Sequence, residues 1–198
     1  MEIPLNTPVA CSDGEGGKSV YVIVDPASEK VTHVVVQESG LGGELRLVPL
    51  DVVLESGPDR ILIRLTREEL HRSQPFYQKS FLPGTGSFMA YPQEGYLTWP
   101  AVAPVVPVPL ETPQNPPGTI EFNRGSRIQA SDGEIGKLDE VLIDPVSQKI
   151  THLILREGNF WNKKEVVIPV AEVARIADDA ITLKLSKDQI EHLPDARP

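Results

Sequence analysis

The sequence predicts an all-β chain: two copies of one small barrel, five to six strands each with a short terminal helix, joined by a proline-rich connector. Three observations predict it: an internal repeat, period-two apolar patterning within each copy, and turn residues that punctuate short runs. Shifting the chain by 119 positions lays Ser12-Asp13-Gly14-Glu15-Gly16-Gly17-Lys18 on Ser131-Asp132-Gly133-Glu134-Ile135-Gly136-Lys137, and residues 12–38 then show 14 identities in 27 positions. Average residue frequencies give about two. A one-residue insertion moves the offset to 120, where Val48-Pro49 meets Ile168-Pro169 and Ile61, Ile63 and Leu65 meet Ile181, Leu183 and Leu185.

Each copy reads in the same order. A first strand ends at Ser-Asp-Gly, where Gly14 or Gly133 can take a positive φ without a Cβ clash. The second strand, Lys18 to Val24 in the first copy, closes on Asp25-Pro26-Ala27-Ser28, in which proline presets φ and the Asp and Ser side chains can bond nearby amides. The third, from Thr32-His33 or Thr151-His152, alternates so that one face is buried and the other partly wet. A hairpin follows, glycine-rich at 40–43 and aromatic at 158–162. The fourth strand ends at Pro49 or Pro169, the fifth runs near 52–54 or 173–175, and the sixth covers 60–65 or 180–185. Thr66-x-x-Glu69 and Ser186-x-x-Gln189 are capping boxes that open one short helix per copy. So few strands in so short a unit cannot bury an open sheet, so closure into a barrel is expected.

The domain boundaries read as 1–72 for the first barrel, 73–123 for the connector and 124–198 for the second barrel. Seven of the eleven aromatic residues lie within 71–100, among them Phe76, Tyr77, Phe81 and Trp99, which a plain flexible linker does not need. They either pack against the barrels or form a patch for a partner. The run from Pro100 to Leu110 carries four prolines and reads as extended, a possible polyproline-type ligand.

The formal charge of the chain is −9, and neither copy is basic. Broad binding to nucleic acid or anionic membranes needs clustered Lys and Arg, so both are disfavoured. A local cluster of Arg156, Lys163 and Lys164 remains. One cysteine, Cys11, cannot form an intrachain disulfide, and no apolar run reaches membrane-spanning length. Met1 to Leu5 has no signal-peptide pattern, so a soluble cytoplasmic protein is expected.

His33 and His152 share a repeat position but find no further ligand at metal spacing, and duplication alone explains the pair. Asp13, Asp25, Asp132 and Asp144 stand beside Gly or Pro and read as turn formers. Gly14 to Lys18 has the wrong spacing for a phosphate loop, and no nucleophile elbow or dinucleotide fingerprint is present. No catalytic, cofactor or metal residue is assigned, and an enzyme is not expected. The residues expected to meet a partner are Trp99, Phe160, Trp161, Lys163 and Lys164.

As a set, Ser-Asp-Gly-x-x-Gly-Lys, Val-x-x-Asp-Pro-x-Ser-x-Lys, Thr-His followed by alternating apolar residues, and the later Val/Ile-Pro resemble the PRC-barrel, in both repeats but not the connector. That is the barrel of the photosynthetic reaction-centre H subunit's cytoplasmic end and of a ribosome maturation factor's C-terminal half. The resemblance implies architecture more than activity: neither the membrane helix of the one relative nor the companion domain of the other is expected here. The functional expectation is a non-enzymatic tandem PRC-barrel acting as an adaptor for an unknown protein partner. Its alternatives are an RNA-associated ribosome-maturation factor, a reaction-centre-associated electron-transfer accessory, and a metal- or ligand-dependent enzyme.

Overall fold

The structure, a computed structural model, describes residues 1–40, 42–82, 108–157, 164–177 and 180–193. The first repeat forms β1 (Glu2–Pro4), β2 (Pro8–Cys11), β3 (Gly14–Asp25), β4 (Lys30–Glu38), β5 (Leu45–Pro49), a 3-10 turn at Leu50–Val52, β6 (Val53–Gly57), β7 (Arg60–Ile63) and α1 (Arg67–Arg72). Two strands follow, β8 (Tyr77–Leu82) and β9 (Val108–Pro113). The second repeat gives β10 (Ile120–Asn123), β11 (Arg127–Ala130), β12 (Gly133–Ile143), β13 (Ile150–Glu157), β14 (Lys164–Pro169), a 3-10 turn at Val170–Glu172, β15 (Val173–Ile176), β16 (Ala180–Leu183) and α2 (Lys187–Glu191). Met1–Phe76 and Asn115–Pro198 make one compact unit and Tyr77–Gln114 another, in which β8 and β9 pair antiparallel from Tyr77 opposite Pro113 to Leu82 opposite Val108.

The two repeats are wired alike. Strand order is β5-β4-β3-β2-β7-β6 in one sheet and β14-β13-β12-β11-β16-β15 in the other, with every pair antiparallel except β2 with β7 and β11 with β16. β5 and β6, at opposite ends of the order, are linked by the 3-10 turn, but among the described residues no ladder joins them. The same holds for β14 and β15. The sequence predicts that each repeat closes into a barrel; the described strands give the ladder order of each repeat without a pairing of its two end strands.

The shared motif residues hold this wiring. The Arg67 amide donates to Asp13 Oδ1 at 2.8 Å and the Lys187 amide to Asp132 Oδ1 at 3.0 Å, so each Ser-Asp-Gly turn caps the helix that ends its own repeat. Both capping boxes form: Thr66 and Ser186 accept from the amides of Glu69 and Gln189, whose side chains accept from the Thr66 and Ser186 amides in return. Thr32 and Thr151 each donate from Oγ1 across the hairpin, to the carbonyls of Ile23 and Leu142, at 3.2 Å in both repeats.

The connection between repeats departs from the sequence reading. β10 pairs with β3, placing Ile120 opposite Val24 and Asn123 opposite Tyr21, while β1 pairs with β12, placing Glu2 opposite Leu142 and Pro4 opposite Glu140. Each repeat thus lends its leading strand to the other's sheet, in registers that correspond under the 119-residue shift. The exchange is flanked by a second reciprocal contact: the Val31 amide donates to the Gln148 carbonyl at 3.1 Å and the Ile150 amide to the Glu29 carbonyl at 2.8 Å. Ile3 and Phe122 are buried within one apolar cluster that spans both repeats, together with Val22, Val34, Val141 and Leu153. This takes residues 120–123 out of the connector expected over 73–123, and it gives 1–72 a strand that serves the other repeat. The physical reason is that period-two patterning says which face of a strand is buried, and nothing about which chain segment lies beside it.

The repeated Asp-Pro turns carry a pH dependence. Asp25 accepts from the Ser28 hydroxyl at 2.6 Å and the Ala27 amide at 2.9 Å, and Asp144 accepts from the amides of Val146 at 2.7 Å and Ser147 at 3.0 Å. The Ser28 hydroxyl first, then the Ala27 amide, holds the Asp25 carboxyl below the ordinary carboxylate value, and the Ser147 amide leads for Asp144. A depressed folded-state value means stability that is complete above the unfolded-state pKa, about 3.9, and lost as pH falls through the folded one. Combining Asp25→Asn with Asp144→Asn, which keeps an amide acceptor but no titrating group, is expected to flatten the acid limb of the melting temperature below about pH 4. An unchanged slope would assign acid lability to other groups.

Candidate functional site

The two repeats differ most tellingly where the exchanged strands turn back into their own sheets. In the second repeat the turn between β10 and β11 is fixed by the Gly125 amide donating to Asn123 Oδ1 at 2.7 Å and the Asn123 amide donating to Ser126 Oγ at 3.0 Å. This presents Arg124. Asp139 lies in β12 where the ladder with β13 skips a residue between Leu138 and Glu140, a bulge of the kind that re-aims a side chain. Arg156 stands on β13, opposite Lys137. Arg124 Nε and Arg156 Nη2 both donate to Asp139 Oδ1.

The Asp139 side chain is 6% exposed, against 41% for Arg124 and 32% for Arg156. A nearly buried carboxylate thus anchors two guanidinium groups that stay half in solvent. A buried charge is tolerable only when paired and hydrogen-bonded, and here two cations meet one anion, leaving an excess positive charge on the floor of a hollow of about 650 Å³. Its wall adds Lys137 and Lys187 against Glu134 and Glu191.

The corresponding hollow of the first repeat, about 580 Å³, carries Lys18 against Glu15 and Glu38. Under the 119-residue shift, Arg124, Asp139 and Arg156 fall on Leu5, Val20 and Gln37. The first repeat has its own buried cation, Arg46, at a position where the second has the apolar Val166. Arg46 donates to Glu38 at 3.1 Å, Glu44 at 2.7 Å and the Ser73 carbonyl at 3.3 Å, which ties β5 to the end of α1 and commits its donors to the fold.

The PRC-barrel domain family model matches residues 124–190. This segment is a PRC-barrel domain. Arg124, Asp139 and Arg156 all lie inside it, with Lys137 and Lys187. The first repeat, outside the match, repeats the strand order of the PRC-barrel domain. Comparison with curated proteins finds none that matches the chain.

The residues expected from the sequence to meet a partner fall differently. Trp99, Phe160, Trp161 and Lys163 lie outside the described residues; Lys164 begins β14 of the PRC-barrel domain, opposite Glu157, and its side chain is likewise undescribed. Of the connector aromatics, Phe76 is buried, its ring centre 5.3 Å from that of Tyr21. His33 is half-buried, its Nδ1 3.0 Å from the neighbouring Thr32 hydroxyl, and desolvation pushes its pKa down. Among the described residues no group of three or more His, Cys, Asp or Glu is placed to hold a metal, and no helix is long and apolar enough to cross a membrane. Sequence reasoning singled out Arg156 only as part of a charge cluster and missed Arg124 and Asp139. The available signal was the repeat itself: at three positions one copy is uncharged and the other is not.

Proposed function

We propose that the chain is a non-enzymatic adaptor of two PRC-type repeats, which binds a protein partner through the second repeat. One contrast carries this reading. The residues the repeats share do structural work, as helix caps, turn formers and cross-strand hydrogen bonds, whereas the charged trio that separates them opens onto solvent at one place. Selection for shape alone does not call for two half-exposed arginines on a buried aspartate, since a well-packed apolar trio is commonly as stable or more so. The segment with Phe160, Trp161, Lys163 and Lys164, and Trp99 of the connector, are the further contacts of this reading, because aromatic side chains, tryptophan above all, dominate interface energetics.

The test is in-cell photo-crosslinking from a probe at Lys187 on the rim of the hollow, repeated with Arg156→Gln, Trp99→Ala and Trp161→Ala. A discrete crosslinked protein, lost in at least one variant, is the expected result. Crosslinks no different from those of a probe on the exposed Asp-Pro turn at Val146 would defeat the adaptor reading.

A further inference from the structure

We infer that the hollow over Arg124, Asp139 and Arg156 is a recognition site for a carboxylate side chain on an acidic segment of a partner protein. This deepens the adaptor reading and rests on it.

Among the described residues, the two guanidinium groups keep donors that no hydrogen bond uses. A guanidinium carries five N–H groups in a rigid planar fork, and Asp139 takes only Nε of Arg124 and Nη2 of Arg156. Holding both arginines by one buried carboxylate fixes their planes in advance, so a ligand need not order them, and a carboxylate fits such a fork with two parallel hydrogen bonds.

Charge selects among anions. The lining holds four cations, Arg124, Lys137, Arg156 and Lys187, and three carboxylates, Glu134, Asp139 and Glu191, a net of +1. A single carboxylate neutralises that excess. A phosphate dianion overshoots it beside Glu134 and Glu191, and a polynucleotide would bring a row of phosphates onto a chain of formal charge −9.

The first repeat provides the control within the same molecule. At the positions of the trio the first repeat has Leu5, Val20 and Gln37; of these only Gln37 lines its hollow, where Lys18 faces Glu15 and Glu38, so this acidic hollow is expected to bind no carboxylate. Glutamine at the Arg156 position is thus a residue this strand already accommodates in its sister copy.

The experiment is titration of the full ¹⁵N-labelled chain with a blocked, amidated Glu-Gly repeat peptide, following the Arg124 and Arg156 Nε–Hε resonances. The matching Gln-Gly peptide, inorganic phosphate and a short single-stranded RNA are titrated in parallel. Saturable shifts of both arginines by the Glu peptide alone are expected, with affinity weakened about tenfold by Arg156→Gln, the scale of a lost charge-assisted hydrogen-bonded pair. Unchanged backbone amide shifts in β15 and β16, away from Asp139, will show that this variant is folded. Should it prove unfolded, Lys187→Gln, outside the Asp139 pair, is expected to weaken binding about twofold to threefold through lost long-range attraction. Phosphate or RNA bound more tightly than the peptide, equal affinity of the Glu and Gln peptides, or variants that bind like the parent would overturn the inference. A crosslinked partner retained by Arg156→Gln would sink the carboxylate site while the adaptor reading stands. The absence of any partner would sink the adaptor reading first.

Discussion

Replacing Phe122 by alanine is expected to loosen the first repeat's sheet, although Phe122 belongs by sequence to the second repeat. Its strand β10 lies against β3, with Phe122 opposite Val22, and its side chain is 1% exposed in the shared apolar cluster. Truncation of a buried Phe to Ala costs about 3–5 kcal/mol, from lost transfer energy and the cavity left behind. That is a large share of the roughly 5–15 kcal/mol that holds a domain together. Hydrogen exchange gives the address of the damage: amides of Tyr21 to Val24 and of the facing β4 strand should lose protection first. Ile3→Ala should do the converse, exposing Glu140 to Leu142 of β12, at a cost of about 2–5 kcal/mol. Because one cluster spans both repeats, denaturant unfolding should also be a single transition in the parent chain. Damage confined to the repeat that carries each mutation in its own sequence would refute the strand exchange.

How much of this was readable beforehand depended on the range of the interaction. Thr66 with Glu69, Ser186 with Gln189, and Asp25 with Ser28 act within a few residues, so their side-chain chemistry announced the caps and turns before any coordinates. The repeat likewise gave a strand order common to both copies. Strand exchange was invisible because Ile3 and Phe122 are apolar whichever β-strand they cover, and the choice between their own sheet and the other is made by three-residue turns, Leu5 to Thr7 and Arg124 to Ser126. These turns are held by unlike means. In the first, the buried Ser19 hydroxyl donates to the Pro4 carbonyl at 2.8 Å and accepts from the Thr7 amide at 3.1 Å; in the second, Asn123 and Ser126 hold the backbone. The site was half readable for the same reason. Arg156 stands in a visible charge cluster, but its partner Asp139 is seventeen residues away in sequence and meets it only because β12 and β13 form a hairpin with a bulge.

Gly17→Ala is expected to destabilise the chain by more than about 3 kcal/mol, which places it among the severe single substitutions. Two costs combine. Gly17 has φ +147°, a conformation L side chains rarely adopt, and a Cβ built there would stand 1.9 Å from the Gln37 carbonyl oxygen of β4. That neighbour is backbone, so relief requires β3 and β4 to separate where they pair. Gly42 separates the two costs: it has φ +78° but nothing within 4 Å of its Cβ position, so Gly42→Ala pays strain alone, about 1–2 kcal/mol. The second repeat extends the test to function. A Cβ on Gly136 would come 2.4 Å from the Arg156 carbonyl oxygen, again on the neighbouring strand. Gly136→Ala must therefore push β13 away at the residue whose guanidinium holds Asp139. It should weaken binding of the Glu-Gly peptide at least as much as Arg156→Gln, whereas Gly42→Ala should leave binding unchanged. The glycine shared by both repeats then acts differently in each: it sets a close strand approach in the first, and in the second the same approach positions the arginine that meets the ligand. Urea midpoints for the three variants, beside the peptide titration, decide it. A Gly17→Ala protein as stable as Gly42→Ala would show that the close approach of β3 and β4 is not what the motif's second glycine maintains.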